Sequence, residues 1–475
     1  MKYVYVFFLG GFLSCNAQNL LDSENKPNII YINVDDLGWM DTETYGSTFY
    51  ETPNVNKLAE SGVKFTNGYA SAANCAPSRA CLISGQNTPR HGIYTVSNSD
   101  RGNEKTRKLI PIKNTEVLAD ENVTIVEMLK SAGYTTGTFG KWHLGEDPKT
   151  QGFDVNVAGG NNGNPGKNGY FSPYNVKNIV DSLKGENLTD RLTQEAISFI
   201  QDNKKKPFFV YLPYYAVHTP LSTTSSLEDK YKEKGGNSFQ NKAVYAGMIE
   251  TVDRNIGLIL DEINTLDLKN TLIIFTSDNG GIRDVSNQDP LRAGKGSYYE
   301  GGIRVPYIIS WDGIVKPNTV SNTPITNLDF YPTFMDILNI KLPNKIVDGT
   351  SILPVLKGKS IKDRSLFFHF PIYLQAYNFK TDDGRDPFFR TRPGSVIIDG
   401  DWKLHQYFEN NDIELYNLKS DIGESNNVAA IYPKKASELL EKLNVWRSEI
   451  NAPIPTALNP KYDADYVPNK FKKSH

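Results

Sequence analysis

Asn28-Ile29-Ile30-Tyr31-Ile32-Asn33-Val34-Asp35-Asp36 is the stretch that decides the architecture. From Ile29 to Val34 the residues are mainly apolar and β-branched with no clean polar alternation, which marks a strand buried on both faces, as in parallel sheets. Two carboxylates follow at once. Ligands of open α/β sheets bind outside the carboxyl ends of the strands, so Asp35 and Asp36 point to the functional edge. Working outward, similar strands are expected at Thr135 to Phe139, Phe208 to Leu212, Leu272 to Thr276 and Val305 to Ser310. Helix-period segments lie between them. One opens on a Thr124/Glu127 capping box and stops at Gly133; another carries an apolar stripe through Tyr245, Met248, Ile249, Val252, Ile256, Ile259, Leu260 and Ile263. This pattern predicts an α/β fold over residues 25–363, a large central, mostly parallel sheet flanked by helices.

After Arg364 the pattern shifts to short strands at Ser365 to Phe370, Ser395 to Ile398, Trp402 to Phe408 and Ile413 to Leu418, then a helix through Leu439, Leu440, Leu443 and Trp446. Residues 364–475 therefore read as a smaller antiparallel α+β domain. A length of 475 residues suits one large domain plus a smaller one, and 39% hydrophobic with 22% charged residues is ordinary for a globular chain. The formal net charge of -2 gives no basic field for polyanions, so nucleic acid is not an expected partner and an anion site must be built locally.

Residues 1–17 read as an export signal: Met1 and Lys2 at a positive start, an apolar stretch from Val4 to Leu13, then small and polar residues. Its end reads in two ways, as a lipoprotein site at Cys15 or as ordinary cleavage before Gln18. An exported, periplasmic protein is expected in either case, with a lipid anchor at Cys15 as its one membrane attachment. Beyond the signal only Cys75 and Cys81 remain, too few for a disulfide framework. Cys81 reads as a small buried residue.

Polar residues gather where the expected strands end: Asp35 and Asp36, Lys141 and His143, His218, Asp278 and Asn279. Adjacent carboxylates at a strand end are costly unless a cation neutralises them, and an all-oxygen set selects a hard ion, calcium first and magnesium second. Either fragment alone would read as a helix cap or a tight turn. In Cys75-Ala76-Pro77-Ser78-Arg79, the Pro and Ser suit the first turn of a helix, placing Cys75 where the backbone field favours anions and Arg79 on the same face. Alone, this is a cysteine beside a cation at a helix start, open to a reactive or a structural role.

The run Cys75-Ala76-Pro77-Ser78-Arg79 with Leu82-Ile83-Ser84-Gly85 resembles the modification signature of the type I sulfatases, of the alkaline-phosphatase-like superfamily, with Ser84 where Thr is more usual. The resemblance extends through Gly140-Lys141-Trp142-His143, His218-Thr219-Pro220, Asp278-Asn279-Gly280-Gly281 and Gly294-Lys295 to Arg304-Val305-Pro306, and more weakly into Asp399 to Leu404 and Glu414 to Leu418. With its export signal, candidate lipid anchor and the Gly- and Asn-rich loop from Ala158 to Asn175, the chain also resembles polysaccharide-degrading sulfatases of Bacteroidetes. The resemblance implies that a formylglycine-generating enzyme oxidises Cys75 to 3-oxoalanine (formylglycine), whose hydrate attacks sulfur with one hydroxyl and expels sulfate by deprotonating the other. It further implies that Asp35, Asp36, Asp278, Asn279 and residue 75 surround one divalent metal. Lys141 and Lys295 would balance sulfate charge, His143 would hold the hydrate and accept its proton, and His218 would protonate the leaving oxygen. Arg79 belongs to the same catalytic set, Arg304 is expected to pair with an acidic neighbour, and His369 is a candidate for the substrate pocket or for a packed strand. The substrate implied is a sulfated glycan, such as algal ulvan or carrageenan. Two rival readings are a phosphate or phosphonate ester hydrolase of the same superfamily and an inactive homologue that binds sulfated glycan.

Overall fold

The computed structural model describes residues 26–342 and 344–468, so residues 1–17, where an export signal is expected, lie outside the described residues together with Cys15. Eight strands form the central sheet, running from edge to edge as Val155–Val157, Thr135–Phe139, Phe208–Tyr214, Asn28–Val34, Thr271–Ser277, Tyr307–Trp311, Val63–Phe65 and Thr319–Ser321. The first five named are mutually parallel, and Tyr307–Trp311 runs antiparallel to both neighbours. All five expected strands are present. The short strands at 63, 155 and 319 were not expected; each has three residues, too few to show a period.

Side-chain alternation explains why the central strands are apolar throughout. Ile30, Ile32 and Val34 face one core with Val210, Leu212, Ile273 and Phe275, covered by helices Leu188–Asn203 and Ala243–Thr265. Ile29 and Tyr31 face the other core with Phe209, Tyr211, Leu272 and Ile274, under helices Cys75–Ser84, Ile125–Ser131 and Phe330–Leu338. The Thr124/Glu127 capping box forms as expected, with the Thr124 hydroxyl accepting from Glu127 N at 3.0 Å and the Glu127 carboxylate accepting from Thr124 N at 2.8 Å.

The second sheet is antiparallel, in the order Ser365–Phe370, Gly394–Asp399, Trp402–Tyr407 and Asp412–Asn417. One face buries Ile397, Leu404 and Leu415 under Leu439, Leu443 and Trp446 of the helix Pro433–Glu449. The opposite face buries Phe368, Phe370 and Val396 against Tyr69, Tyr298 and Ile303 of the larger part of the chain. Charged groups are buried between the two parts as well. Glu300 accepts from Arg304 at 2.6 Å and from Lys403 at 2.8 Å, and Lys403 also lies 3.0 Å from Glu424. Burial alone would raise the Glu300 carboxyl, but Lys403 and Arg304 hold it down to about 2. Arg304 thus has the acidic partner expected of it.

Leu443 is wholly buried in the seam between helix and sheet. Leu443→Ala is expected to cost about 2–5 kcal/mol, read as a lower urea midpoint at unchanged slope.

Candidate active site

The parallel strands deliver their polar residues to one edge, and the turn residues fix where each lands. Asp35 continues the pairing of its strand, its N–H donating to Ala216 O and its carbonyl accepting from Val217 N, both at 2.8 Å. Asp36 then turns away at φ 63°, a left-handed conformation that non-glycine residues rarely adopt. At Gly140, with φ +133°, a Cβ would lie 2.1 Å from Pro213 O; only glycine lets the chain pass this closely and present Lys141 to Asp35. The loop leading into the antiparallel strand Tyr307–Trp311 reaches the same edge. Gly280 N donates to Gly302 O at 3.0 Å and Lys295 N to Gly281 O at 2.9 Å, which seats Lys295 against Asp36. His218 is held through its carbonyl, which accepts from the Tyr170 hydroxyl at 2.7 Å.

Asp35, Asp36, Asp278, Asn279, Arg79, Lys141 and Lys295 are all buried together. Lys141 Nζ donates to Asp35 Oδ2 at 2.6 Å, Lys295 Nζ lies 2.7 Å from Asp36 Oδ1, and Arg79 Nε donates to Asp278 Oδ2 at 2.8 Å. Each carboxylate thereby has its own cation. Burial opposes ionisation of all three: Lys295 holds Asp36 and Arg79 holds Asp278 below the usual carboxylate range, whereas burial and the neighbouring Asp278 push Asp35 well above it despite Lys141. Burial likewise opposes charge on Lys295 and Lys141, and Asp36 and Asp35 keep the two ammoniums charged. Arg79 is buried and also donates to the Lys141 carbonyl at 2.6 Å, so it braces the site from within.

Cys75 is the first residue of the helix Cys75–Ser84, as expected, and its Sγ lies 3.6 Å from His143 Nδ1. The candidate ligand atoms of Asp35, Cys75 and Asp278 lie within 4.8 Å of one another. Two more oxygens of the set, Asp35 Oδ1 and Asn279 Oδ1, are buried without a hydrogen-bond partner among the described residues. Unpaired buried oxygens beside carboxylates fit a hard cation. His218 Nε2 lies 3.6 Å from Asp36 Oδ2, and burial with the nearby Lys295 pushes its imidazole down to about 3. Burial, with Lys141 and Arg79, also pushes His143 well below its ordinary value.

Above this cluster opens a cleft of about 440 Å³. Cys75, His143, His218 and Lys295 line it, whereas Lys141 lies beneath its surface behind Asp35. The Gly/Asn-rich loop after Ala158 covers one side, and at Gly163 a Cβ would meet the His143 ring at 2.7 Å. Arg101 and Tyr377 also line the cleft; sequence reasoning missed both, because each lies in a loop without a chemical motif. His369 does not join the cleft. Its ring is buried in the second sheet, Nδ1 2.8 Å from Ser395 Oγ and Nε2 2.9 Å from Pro453 O, so it is the packed strand histidine rather than a pocket residue.

The sulfatase family profile matches residues 27–340, and one described as N-sulphoglucosamine sulphohydrolase, C-terminal, matches residues 294–449. The chain belongs to the sulfatase family. This sulfatase is 34% identical to a sulfatase of Formosa agariphila, over 93% of this chain and 92% of that one. It is 30% identical to the N-acetylgalactosamine-6-O-sulfatase of Bacteroides thetaiotaomicron, over 90% of this chain and 94% of that one. Among solved structures, Ps i-CgsB superposes with a TM-score of 0.73 at 28% identity, covering 91% of this chain and 95% of the other. A phosphonate monoester hydrolase of Agrobacterium radiobacter shares the alkaline-phosphatase-like fold at 20% identity and a TM-score of 0.64, over 90% of this chain and 96% of that one. The sulfatase is thus a sulfuric ester hydrolase.

Because Arg79 is buried against Asp278, Arg79→Ala is expected to destabilise the protein by about 3–5 kcal/mol in urea unfolding, the cost of stranding a buried charge. Lys177→Ala, whose ion pair with Glu146 lies in solvent, should leave the midpoint unchanged.

Proposed function

We propose that the protein is exported and removes sulfate from a sulfated polysaccharide or oligosaccharide, an algal one such as carrageenan or ulvan, using Cys75 as formylglycine and one calcium ion, with magnesium as the alternative. The observation that carries the reading is the meeting of Cys75 and His143 at 3.6 Å, directly beside buried Asp35 and Asp278. Support for the substrate class comes from relatives: Ps i-CgsB has been solved with k-i-k-neocarrahexaose, and the Bacteroides relative acts on a sulfated amino sugar by its name. Polymers of that size cannot enter a cell, which agrees with an export signal over residues 1–17 and a periplasmic or Cys15-anchored location.

A formylglycine hydrate supplies a hydroxyl able to attack sulfur and a second whose deprotonation releases sulfate, and a divalent ion supplies positive charge against the sulfate oxygens. Asp35, Asp36, Asp278 and Asn279 would hold the ion. His143 is within reach of residue 75 to hold it and to take a proton, and burial with the nearby cations keeps its ring neutral. Lys295 offers its charge to sulfate from the cleft wall, and Lys141, paired with Asp35, adds positive charge to the buried cluster beside it. His218 lies in the same cleft as the general acid for the leaving oxygen. A bound sulfate ester beside Lys295 and His218 adds negative charge and thereby raises the histidine toward protonation.

Mass spectrometry of the peptide holding Cys75, from the native host or with a formylglycine-generating enzyme, is expected to show the aldehyde, and Cys75→Ala should abolish sulfate release. Only unmodified cysteine in the native protein would favour a glycan-binding homologue. Chelation should lower both activity and the melting temperature, with calcium restoring them. His218→Ala should slow hydrolysis of a sugar sulfate ~10²- to 10⁴-fold and slow an activated aryl sulfate much less, since the aryl leaving group needs no proton. Faster turnover of a phosphate than of a sulfate ester of the same phenol would overturn the sulfatase reading in favour of a phosphoester hydrolase.

A further inference from the structure

Arg101 lines the cleft beside Cys75, yet no carboxylate lies within ion-pair distance of it among the described residues. The arginines that support the fold behave otherwise: Arg304 is paired with Glu300, Arg364 with Asp329 and Arg392 with Glu409. The side chain of Arg101 is held in place by a neutral group, its Nε donating to Gln375 Oε1 at 3.1 Å. Gln375 also holds a second guanidinium, because Arg390 Nε donates to its backbone carbonyl at 3.0 Å. Arg390 in turn donates to the Lys295 carbonyl at 2.9 Å, is only 4% exposed, and leaves Nη2 without a partner. Burial, aided by the like charge of Arg101, pushes the Arg390 guanidinium below its ordinary value against the opposing pull of Tyr377 and Asp382. Two cations thus stand close together, and neither has a carboxylate within ion-pair distance among the described residues.

Tyr377 completes the arrangement. Arg390 stacks 3.3 Å from its ring centroid, while the tyrosine remains 49% exposed and lines the cleft. One side of the ring is fixed by the guanidinium, leaving an ordered apolar surface of the kind on which a sugar ring can rest. Glu116, the carboxylate at the exposed rim of the same cleft, forms no ion pair with Arg101 among the described residues.

We infer that Arg101, braced by Gln375 and backed by Arg390, recognises a second anionic substituent on the substrate, a sulfate ester or a carboxylate, on the sugar that packs against Tyr377. The planar fork of a guanidinium matches the paired oxygens of either group, and charge-assisted bonds of this type are the strong ones. Lys295 and the buried carboxylate cluster serve the sulfate that is cleaved; Arg101 makes no contact with Asp35, Asp36 or Asp278 and serves a different group. The inference rests on the sulfatase reading and adds to it that the preferred substrate carries at least two negative groups.

The test compares three oligosaccharides of one backbone: sulfated only at the cleaved position, with a further sulfate, and with a carboxylate in place of that further sulfate. Their kcat/KM values are measured for the wild type, Arg101→Ala and Arg101→Lys, with thermal melting as the check on folding. The wild type is expected to favour a doubly charged substrate about 10- to 100-fold, mainly through KM, and Arg101→Ala to bring that ratio close to unity. Arg101→Lys should keep part of the preference, and the larger ratio identifies sulfate or carboxylate as the group read. A ratio that Arg101→Ala does not change, or a wild type that favours the singly charged substrate, overturns the inference. Calorimetric affinities for the same three sugars, measured with Cys75→Ala protein and with Cys75→Ala/Arg101→Ala protein, give the ratio without turnover. Absence of sulfate release by the wild type, with this affinity ratio intact, would count against the reaction assigned here while upholding Arg101.

Discussion

Three carboxylates share one dry pocket at the end of the central strands, and the rest of the site depends on how their charge is neutralised. Asp35, Asp36 and Asp278 are answered one for one by Lys141, Lys295 and Arg79, each drawn from a different element. In a low-dielectric setting none of these groups is tolerable alone. The demand reaches outward: Gly140 must be glycine for Lys141 to arrive, and the loop from Gly294 to Arg304 must close on Gly280 and Gly281 for Lys295 to arrive.

The helix Cys75–Ser84 links this electrostatic centre to the packing of the fold. Its inner face, through Ala76, Ala80 and Ile83, belongs to the core that covers one side of the sheet, while its first residue opens to the cleft and Arg79 reaches down to Asp278. Residue 75 is therefore fixed by the same contacts that keep the sheet dry. Its position rests on a helix rather than on a loop.

Much of this was legible in the sequence because it rests on short-range rules. The strand at Asn28 announced itself through uninterrupted apolar residues, and its terminal carboxylates made sense only with a cation nearby. Pro77 and Ser78 marked the helix that carries Cys75. His369 was harder to place because a side-chain period of two decides its fate: Phe368 and Phe370 face the larger part of the chain, whereas Phe367 turns to stack on Trp446 and His369 turns with it toward Pro453. That choice depends on which face the second sheet docks, and a single chain sequence does not encode docking locally. Arg101 and Tyr377 were invisible for a related reason. They come from loops far apart in the chain that meet through Gln375 and Arg390, and neither has a spacing that signals chemistry.

The buried triad of Glu300, Lys403 and Glu424 joins the larger part of the chain to the second sheet, and Glu300 begins the short helix that leads into Arg304. It ties the seat of Lys295 to a residue more than a hundred positions further along the chain. A chimera that took its first part from this protein and its last part from a relative would keep this interior charge balance only where the relative supplies the same partners. Such exchange should succeed only when these three side chains travel as a set, which makes the small sheet an inseparable part of the catalytic scaffold rather than a removable module.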